Sequence, residues 1–392
     1  MDKVKIMKRF LIKLLILFSI VFLFDACSDP VFFIIHEETP ALKPLINGSP
    51  TNFVIFGDAM YVASGKKIFI YRKNTNKWVE WTKLGDYVGC LAATQNSLYA
   101  FYLVNNNGRI RQFDNTGNGV DLSLTNVQSI YALDDDLFVG VRVTNGNDFT
   151  YSILHTKESI IDFKSVFEGS SKKNSDDPTV YDYTLNGAAY DNNNYYLCTY
   201  SSIFYVNKTN VDSDFVSIPN SDSDKKFIGF TGIINLNANY VAAITNSGDL
   251  FQIEDANIEK KASFDKRNST GALALWYKDK SDAEPSLLLV GRKEYYYSST
   301  TTAYSNGYLE IALNPSGGIQ TNAVFTEPGK NKLSSIDNND RYVSSIGKKP
   351  VNHMIQTPAV IDEKMTLFAS TQQNGVWSYR IRQGVMQWNA EQ

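Results

Sequence analysis

The chain has 392 residues, more than a small disulfide-stapled fold needs and enough for one large β domain or two ordinary ones. Its net charge of −3 excludes a broad basic field of the kind that gathers nucleic acid or anionic lipid. Tyr and Phe number 23 each, and Asn, Asp, Ser, Thr and Gly crowd between the apolar runs, a mix that suits many short strands joined by turns.

The chain opens with a basic stretch, Lys3, Lys5, Lys8 and Arg9, followed by an apolar run from Leu14 to Phe24 broken only by Ser19. That run fits the hydrophobic region of a secretory signal and falls short of the ~20 residues of a spanning helix. Phe24-Asp25-Ala26-Cys27 then reads as a lipobox, with small Ala26 ahead of the cysteine to be acylated. Phe24 and Asp25 both depart from the usual pattern. The expected division is a signal peptide over 1–26, an acylated tether over 27–50, and one β domain over 51–392. Within the tether, Val31-Phe32-Phe33-Ile34-Ile35 is apolar enough to act as a clasping strand or to rest on the membrane surface. Cys90 and Cys198 lie in apolar strand-like runs and read as structural thiols.

Beyond Cys27 helical periodicity nearly vanishes, and short apolar strands alternate with turn signals about every 8 to 12 residues. A unit recurs: a small or polar residue with glycine, then an alternating aromatic strand. Ser64-Gly65-Lys66-Lys67-Ile68-Phe69-Ile70-Tyr71 shows it first. Asn107-Gly108, Ser247-Gly248, Asn306-Gly307 and Asn374-Gly375 open later copies. Recurrence at about 40 to 50 residues predicts a single all-β propeller of seven four-stranded blades. The blades fall near 51–85, 86–125, 126–169, 180–225, 226–267, 269–328 and 350–392. In the first, strands are expected at Phe53 to Phe56, Ala59 to Ala63, Ile68 to Tyr71 and Trp78 to Thr82. One such sheet cannot cover both its faces, so the repeats must pack in a ring. Two stacked sandwiches are the competing architecture.

Several runs carry a resemblance. Cys27-Ser28-Asp29-Pro30 with Phe32 and Phe33, Gly48-Ser49-Pro50-Thr51-Asn52, Ala59 to Gly65, and the ending Asn374 to Tyr379 with Trp388-Asn389-Ala390-Glu391 resemble a group of treponemal (spirochaete) lipoproteins. The similarity is clearest at both ends and diffuse between them. It implies an exported, propeller-like lipoprotein, tolerates a loose lipobox, and carries no assigned activity. The plan of anchor plus propeller is also similar to the lipoprotein propeller subunit of the outer-membrane β-barrel assembly machinery, whose Gly and Trp motifs are not matched here.

The residues do not assemble a catalytic constellation. His36, His155 and His353 stand apart in sequence, without cysteine partners at zinc spacing. Asp134-Asp135-Asp136 lacks the spacing and glycine of a calcium loop and reads as a solvated turn. No serine elbow, phosphate loop or dinucleotide loop is present in the sequence. Neither an enzyme nor a bound cofactor or metal is expected.

In a propeller, the connections from second to third strand and from blade to blade emerge on one face. The long stretches Gly169 to Pro178, Gly291 to Ser305 and Pro328 to Pro350 all fall there, whereas Lys278 to Pro285 does not. Arg292, Tyr295, Tyr296 and Tyr297, joined by Arg341 and Tyr342, are the candidate partner-binding residues, offering flat rings, hydroxyls and cationic donors. The competing reading has the tyrosines extend a strand and pack locally. Trp276 and Trp377 are expected between blades, and the scattered lysine pairs as solvated loop charges rather than a nucleic-acid stripe. The expected function is a membrane-anchored, non-catalytic scaffold of the bacterial cell envelope that binds a protein or glycan partner. A periplasmic envelope-assembly scaffold and a glycan-binding or glycan-cleaving propeller are the alternatives. Ser28 lacks an inner-membrane retention signal, so outer-membrane placement is expected.

Overall fold

A computed structural model describes residues 45–392 except 74–75, 147, 173–181, 219–228, 264–268, 293–295, 298–301, 304–306, 322, 325–345, 347–348, 383–384 and 392. Cys27 and the run Val31 to Ile35 therefore lie outside the described residues. What is described is almost entirely strand, with one short 3-10 turn at Lys208–Asn210.

Blade 1 is Phe53–Phe56 (β1), Ala59–Ser64 (β2), Lys67–Arg72 (β3) and Trp78–Lys83 (β4). Blade 2 is Val88–Ala93 (β5), Leu98–Val104 (β6), Asn107–Phe113 (β7) and Gly119–Asp121 (β8). Blade 3 is Val127–Leu133 (β9), Asp136–Asn145 (β10), Asp148–Lys157 (β11) and Lys164–Lys172 (β12). Blade 4 is Leu185–Tyr190 (β13), Asn194–Thr199 (β14), Ile203–Asn207 (β15) and Val216–Ser217 (β16). Blade 5 is Phe230–Asn235 (β17), Val241–Thr245 (β18), Asp249–Glu254 (β19) and Asn257–Ser263 (β20).

Blade 6 pairs Ser269–Trp276 (β21), Leu287–Arg292 (β22) and Tyr308–Ala312 (β25), with a separate two-stranded ladder of Tyr296–Tyr297 (β23) and Thr302–Ala303 (β24) between them in sequence. Blade 7 is Val351–Gln356 (β26), Leu367–Thr371 (β27), Gly375–Arg382 (β28) and Val385–Ala390 (β29). Every full blade is an antiparallel meander in sequence order. The sixth departs from the expected four strands among the described residues. After Leu313 the chain turns at Asn314 to Gly318, and the single bridge Leu313 to Ile319 stands where an outer strand was expected.

The predicted ring is present, seven blades as expected. The first strands β1, β5, β9, β13, β17, β21 and β26 touch one another in that order, and β26 touches β1 again. Seven buried clusters fill the seven interfaces. Period-two alternation explains how one strand serves two of them. In β2, Ala59, Tyr61 and Ala63 face blade 2, whereas Met60 and Val62 face blade 7.

Ring closure does not use a shared strand, because blades 1 and 7 each complete their own sheet. A strap does the work instead. Leu45 N donates to Glu391 O at 2.7 Å, Gly375 N donates to Gly48 O at 2.9 Å, and Ile46 is fully buried among Phe53, Trp78 and Phe368. The last part of the expected tether is thus docked on blade 7 rather than free.

Candidate functional site

The site is built from the innermost strands outward. Each first strand carries a β-bulge just after its first paired residue. Thr51 N bonds Ala63 O while Phe53 pairs with Val62, which leaves Asn52 as the extra residue of blade 1. The same skip isolates Gly89 between Val88 and Cys90, Asn186 between Leu185 and Gly187, Thr231 between Phe230 and Gly232, and Asn352 between Val351 and His353. Gln128 is skipped in blade 3, and the irregular stretch in blade 6 spans Thr270 to Ala272. A bulge re-aims side chains, and the residues isolated here, Asn52, Gln128, Asn186, Thr231 and Asn352 with Gly89, are mostly polar.

Two of them, Asn52 and Asn186, stitch blade to blade, and residues beside the bulges add to the seams. Asn52 grips Leu91 with both amide atoms, Nδ2 donating to the carbonyl at 2.8 Å and Oδ1 accepting from the N–H at 2.9 Å. Asn186 Nδ2 donates to Phe230 O at 2.8 Å, and Ser129 Oγ donates to Leu185 O at 2.8 Å. Between blades 7 and 1, Phe53 N donates to Nδ1 of His353 at 3.3 Å. Nδ1 can accept only when it carries no proton, and burial pulls the His353 imidazole down to about 4, in keeping with a neutral ring. Inner strands come too close for side chains at one point: a Cβ on Gly232 would sit 2.0 Å from Gly271 O.

The first strands start at the end of the ring where blade-to-blade connections arrive, which is also where second strands hand over to third. This is the loop face, and the opposite end is the turn face. On the turn face, short connections are capped by their own side chains. Asp191 Oδ1 accepts from the N–H groups of Asn193 and Asn194 at 2.8 and 2.7 Å, and Asp191 Oδ2 accepts from Tyr196 OH at 2.5 Å. Asn237 and Asp362 do the same in the equivalent turns of blades 5 and 7.

The turn face also holds a network that corrects two expectations. Asp134-Asp135-Asp136 is not uniformly solvated and His155 is not isolated. The hairpins place Asp136 Oδ1 2.6 Å from Nε2 of His155, while Nδ1 lies 3.1 Å from Oδ1 of Asp212. Tyr195 OH donates to Asp136 Oδ2 at 3.1 Å, and Lys164 Nζ holds Asp212 at 3.0 Å. The hydrogen bond from Lys164, then the one from His155, keeps the Asp212 carboxyl below its ordinary range. His155 is 1% exposed, and its two nitrogens point to opposite sides, so the cluster ties blade 3 to blade 4 rather than converging on a ligand. Among the described residues no three metal-binding side chains gather.

On the loop face, the longest strands among the described residues belong to blade 3. β10 and β11 run ten residues each and overshoot β9, whose pairing ends at Val127 with Val141. Val143 is 37% exposed there, with Thr144 and Asn145 exposed beside it. The Arg142 guanidinium lies 4.9 Å over the Phe149 ring. Below them an aromatic column descends through Tyr151, Tyr183 and Phe167 to Phe204.

The sequence-predicted residues divide three ways. Arg292 is 2% exposed at the end of β22. Its strand pairing with Ser269 draws it under the face, so it cannot present the surface charge expected of it. Tyr296 and Tyr297 have their backbone paired with Ala303 and Thr302 in the β23–β24 ladder. Tyr295, Arg341 and Tyr342 lie outside the described residues. Neither the bulges nor the overshooting hairpin was anticipated; the turn signal Asn145-Gly146-Asn147 was available for the latter, but not the reach of its strands.

No family model matches the chain, and no curated protein does. Solved structures do. The extracellular domain of a hybrid two-component system from B. thetaiotaomicron aligns with a TM-score of 0.54 at 14% identity, over 86% of this chain and 38% of that one. PorZ, a surface component of the type-IX secretion system of Porphyromonas gingivalis, aligns at 0.50 and 11%, over 89% and 38%. YCF48 bound to D1 peptide aligns at 0.52 and 10%, over 88% and 96%. The chain therefore spans under two fifths of the first two proteins, and at these identities the likeness is one of fold. Among the described residues no helix is long and apolar enough to cross a membrane.

Proposed function

We propose that this chain is a lipid-anchored, non-catalytic scaffold of the bacterial cell envelope, held to a membrane through Cys27 and binding a protein partner on its loop face. The observation that carries this reading is the asymmetry of the ring. The ten-residue turn-face connections 277–286 and 357–366 are tied back by Asp282 and Asp362, while at the other end the β10–β11 hairpin overshoots the first strand of its blade. Segments that rise free from a rigid ring are where recognition resides. One propeller of this fold is bound to a peptide, and others belong to an extracellular domain and to a surface component, which supports the reading by analogy of architecture. The outer membrane is the proposed location.

Metabolic labelling with palmitate tests the anchor, with loss of label and of membrane partition expected in Cys27→Ala. Proteolysis of intact cells tests the side: cleavage without permeabilisation places the ring at the surface, and protection places it in the periplasm. A label retained by Cys27→Ala contradicts anchoring at that residue.

A further inference from the structure

We propose that the inner edge of β10, where it rises past β9, takes up an extended acidic segment of a partner protein as an added strand. This rests on the loop face being the binding face and names the partner's chemistry there.

The register identifies the free groups. Asn145 and Asp148 close a two-residue hairpin and exchange hydrogen bonds, as do Val143 and Thr150 two residues further down. Arg142 and Thr144 therefore turn their main-chain groups away from β11 toward the inner side. Arg142 confirms the direction, since its N–H donates to Asn126 O at 3.1 Å. Above that bond, the Arg142 carbonyl and both the N–H and carbonyl of Thr144 face inward, with no strand of the described residues beside them. The edge has no proline, and Val143, Thr144 and Asn145 are exposed. Natural sheets usually blunt such an edge, and an unblunted one is a template for another strand.

Side chains set the sequence preference. Arg142 and Thr144 share one face of β10, so residues of an added strand on that face come next to the guanidinium. Arg142 stacks on Phe149 and has no carboxylate partner among the described residues. A Glu or Asp on the incoming strand complements it. On the other face Val143 offers an apolar neighbour. The fitting segment alternates acidic and apolar residues.

The test uses the full chain and a fluorescein-labelled peptide, Val-Glu-Val-Glu-Val-Glu, read by anisotropy. The wild type is expected to bind it and to prefer it to the Gln counterpart, and a peptide N-methylated at alternate amides is expected not to bind. Thr144→Pro removes one inward N–H without touching the bonds to β11, and should weaken binding about tenfold with an unchanged melting temperature. Arg142→Gln should weaken it about fivefold and erase the preference for Glu. Binding that neither variant diminishes, or no binding by the wild type, overturns the edge. If the bound peptide then cross-links elsewhere on the loop face, only the edge fails; if it cross-links to the turn face, the scaffold reading fails with it.

Discussion

The two faces of the ring are made from the same strands and both cap turns with their own side chains, yet at blade 3 they part. On the turn face, Asp191, Asn237 and Asp362 fold back onto the N–H groups that follow them, and His155 is held between Asp136 and Asp212. On the loop face, Thr199, Thr245 and Thr371 serve their own turns in the same way, but β10 carries Arg142, Val143 and Thr144 past β9. Polar groups that satisfy their own backbone stabilise a fold and have little left for a partner. The difference separates stability from recognition along one axis of the molecule.

Substitutions on the turn face should cost stability and leave binding intact. The largest effect is expected at Asp191→Ala, which orphans two main-chain donors and takes away the acceptor of the buried Tyr196 O–H, about 3 kcal/mol by urea denaturation. Asp136→Asn weakens the contacts of both His155 and Tyr195 and should cost about 2 kcal/mol. Peptide binding lost in either variant at a temperature where it stays folded would break the separation.

Acid offers a third test, at the interface that closes the ring. His353 is neutral in the fold down to about 4, against an ordinary value of 6.5, so the unfolded chain binds the proton first. Its contribution is intact above pH 6.5 and is lost as the pH falls from 6.5 through 4, by about 1.5 kcal/mol once partial contact with solvent is allowed for. An imidazole titrating near 6.5 in the folded protein, by NMR, would contradict the bond to Phe53. The smallest effect is expected on the loop face. Replacing Tyr295, Tyr296, Tyr297 and Arg341 by alanine should change stability by less than about 0.5 kcal/mol per site while abolishing partner capture.

The blades were legible because strand alternation and glycine-marked turns recur through the chain. Phe53 to Phe56 and Trp78 to Thr82 were placed to within a residue, and the seven-part division follows from them. The bulges were not legible, since Asn52, Asn186 and Asn352 sit in runs where an extra polar residue looks like ordinary alternation. His155 and Asp136 are nineteen positions apart, and only the ten-residue hairpin brings them together. Arg292 reads as a loop cation in sequence and is buried because β22 pairs through to its end. The strap at Leu45 to Ser49 was illegible for a similar reason, because its partners Gln373, Gly375 and Glu391 lie at the far end of the chain.

Blade 3 presents both faces within one sheet, and so permits the most direct test. Val143 stands on the loop face at 37% exposure, and Ile160 stands on the turn face at 70%. A photo-cross-linking amino acid placed at each position in living cells should capture a discrete partner from 143 and leave 160 bare, despite the greater exposure of the latter. Capture from 160, or equally from both, would contradict recognition through one face of the ring.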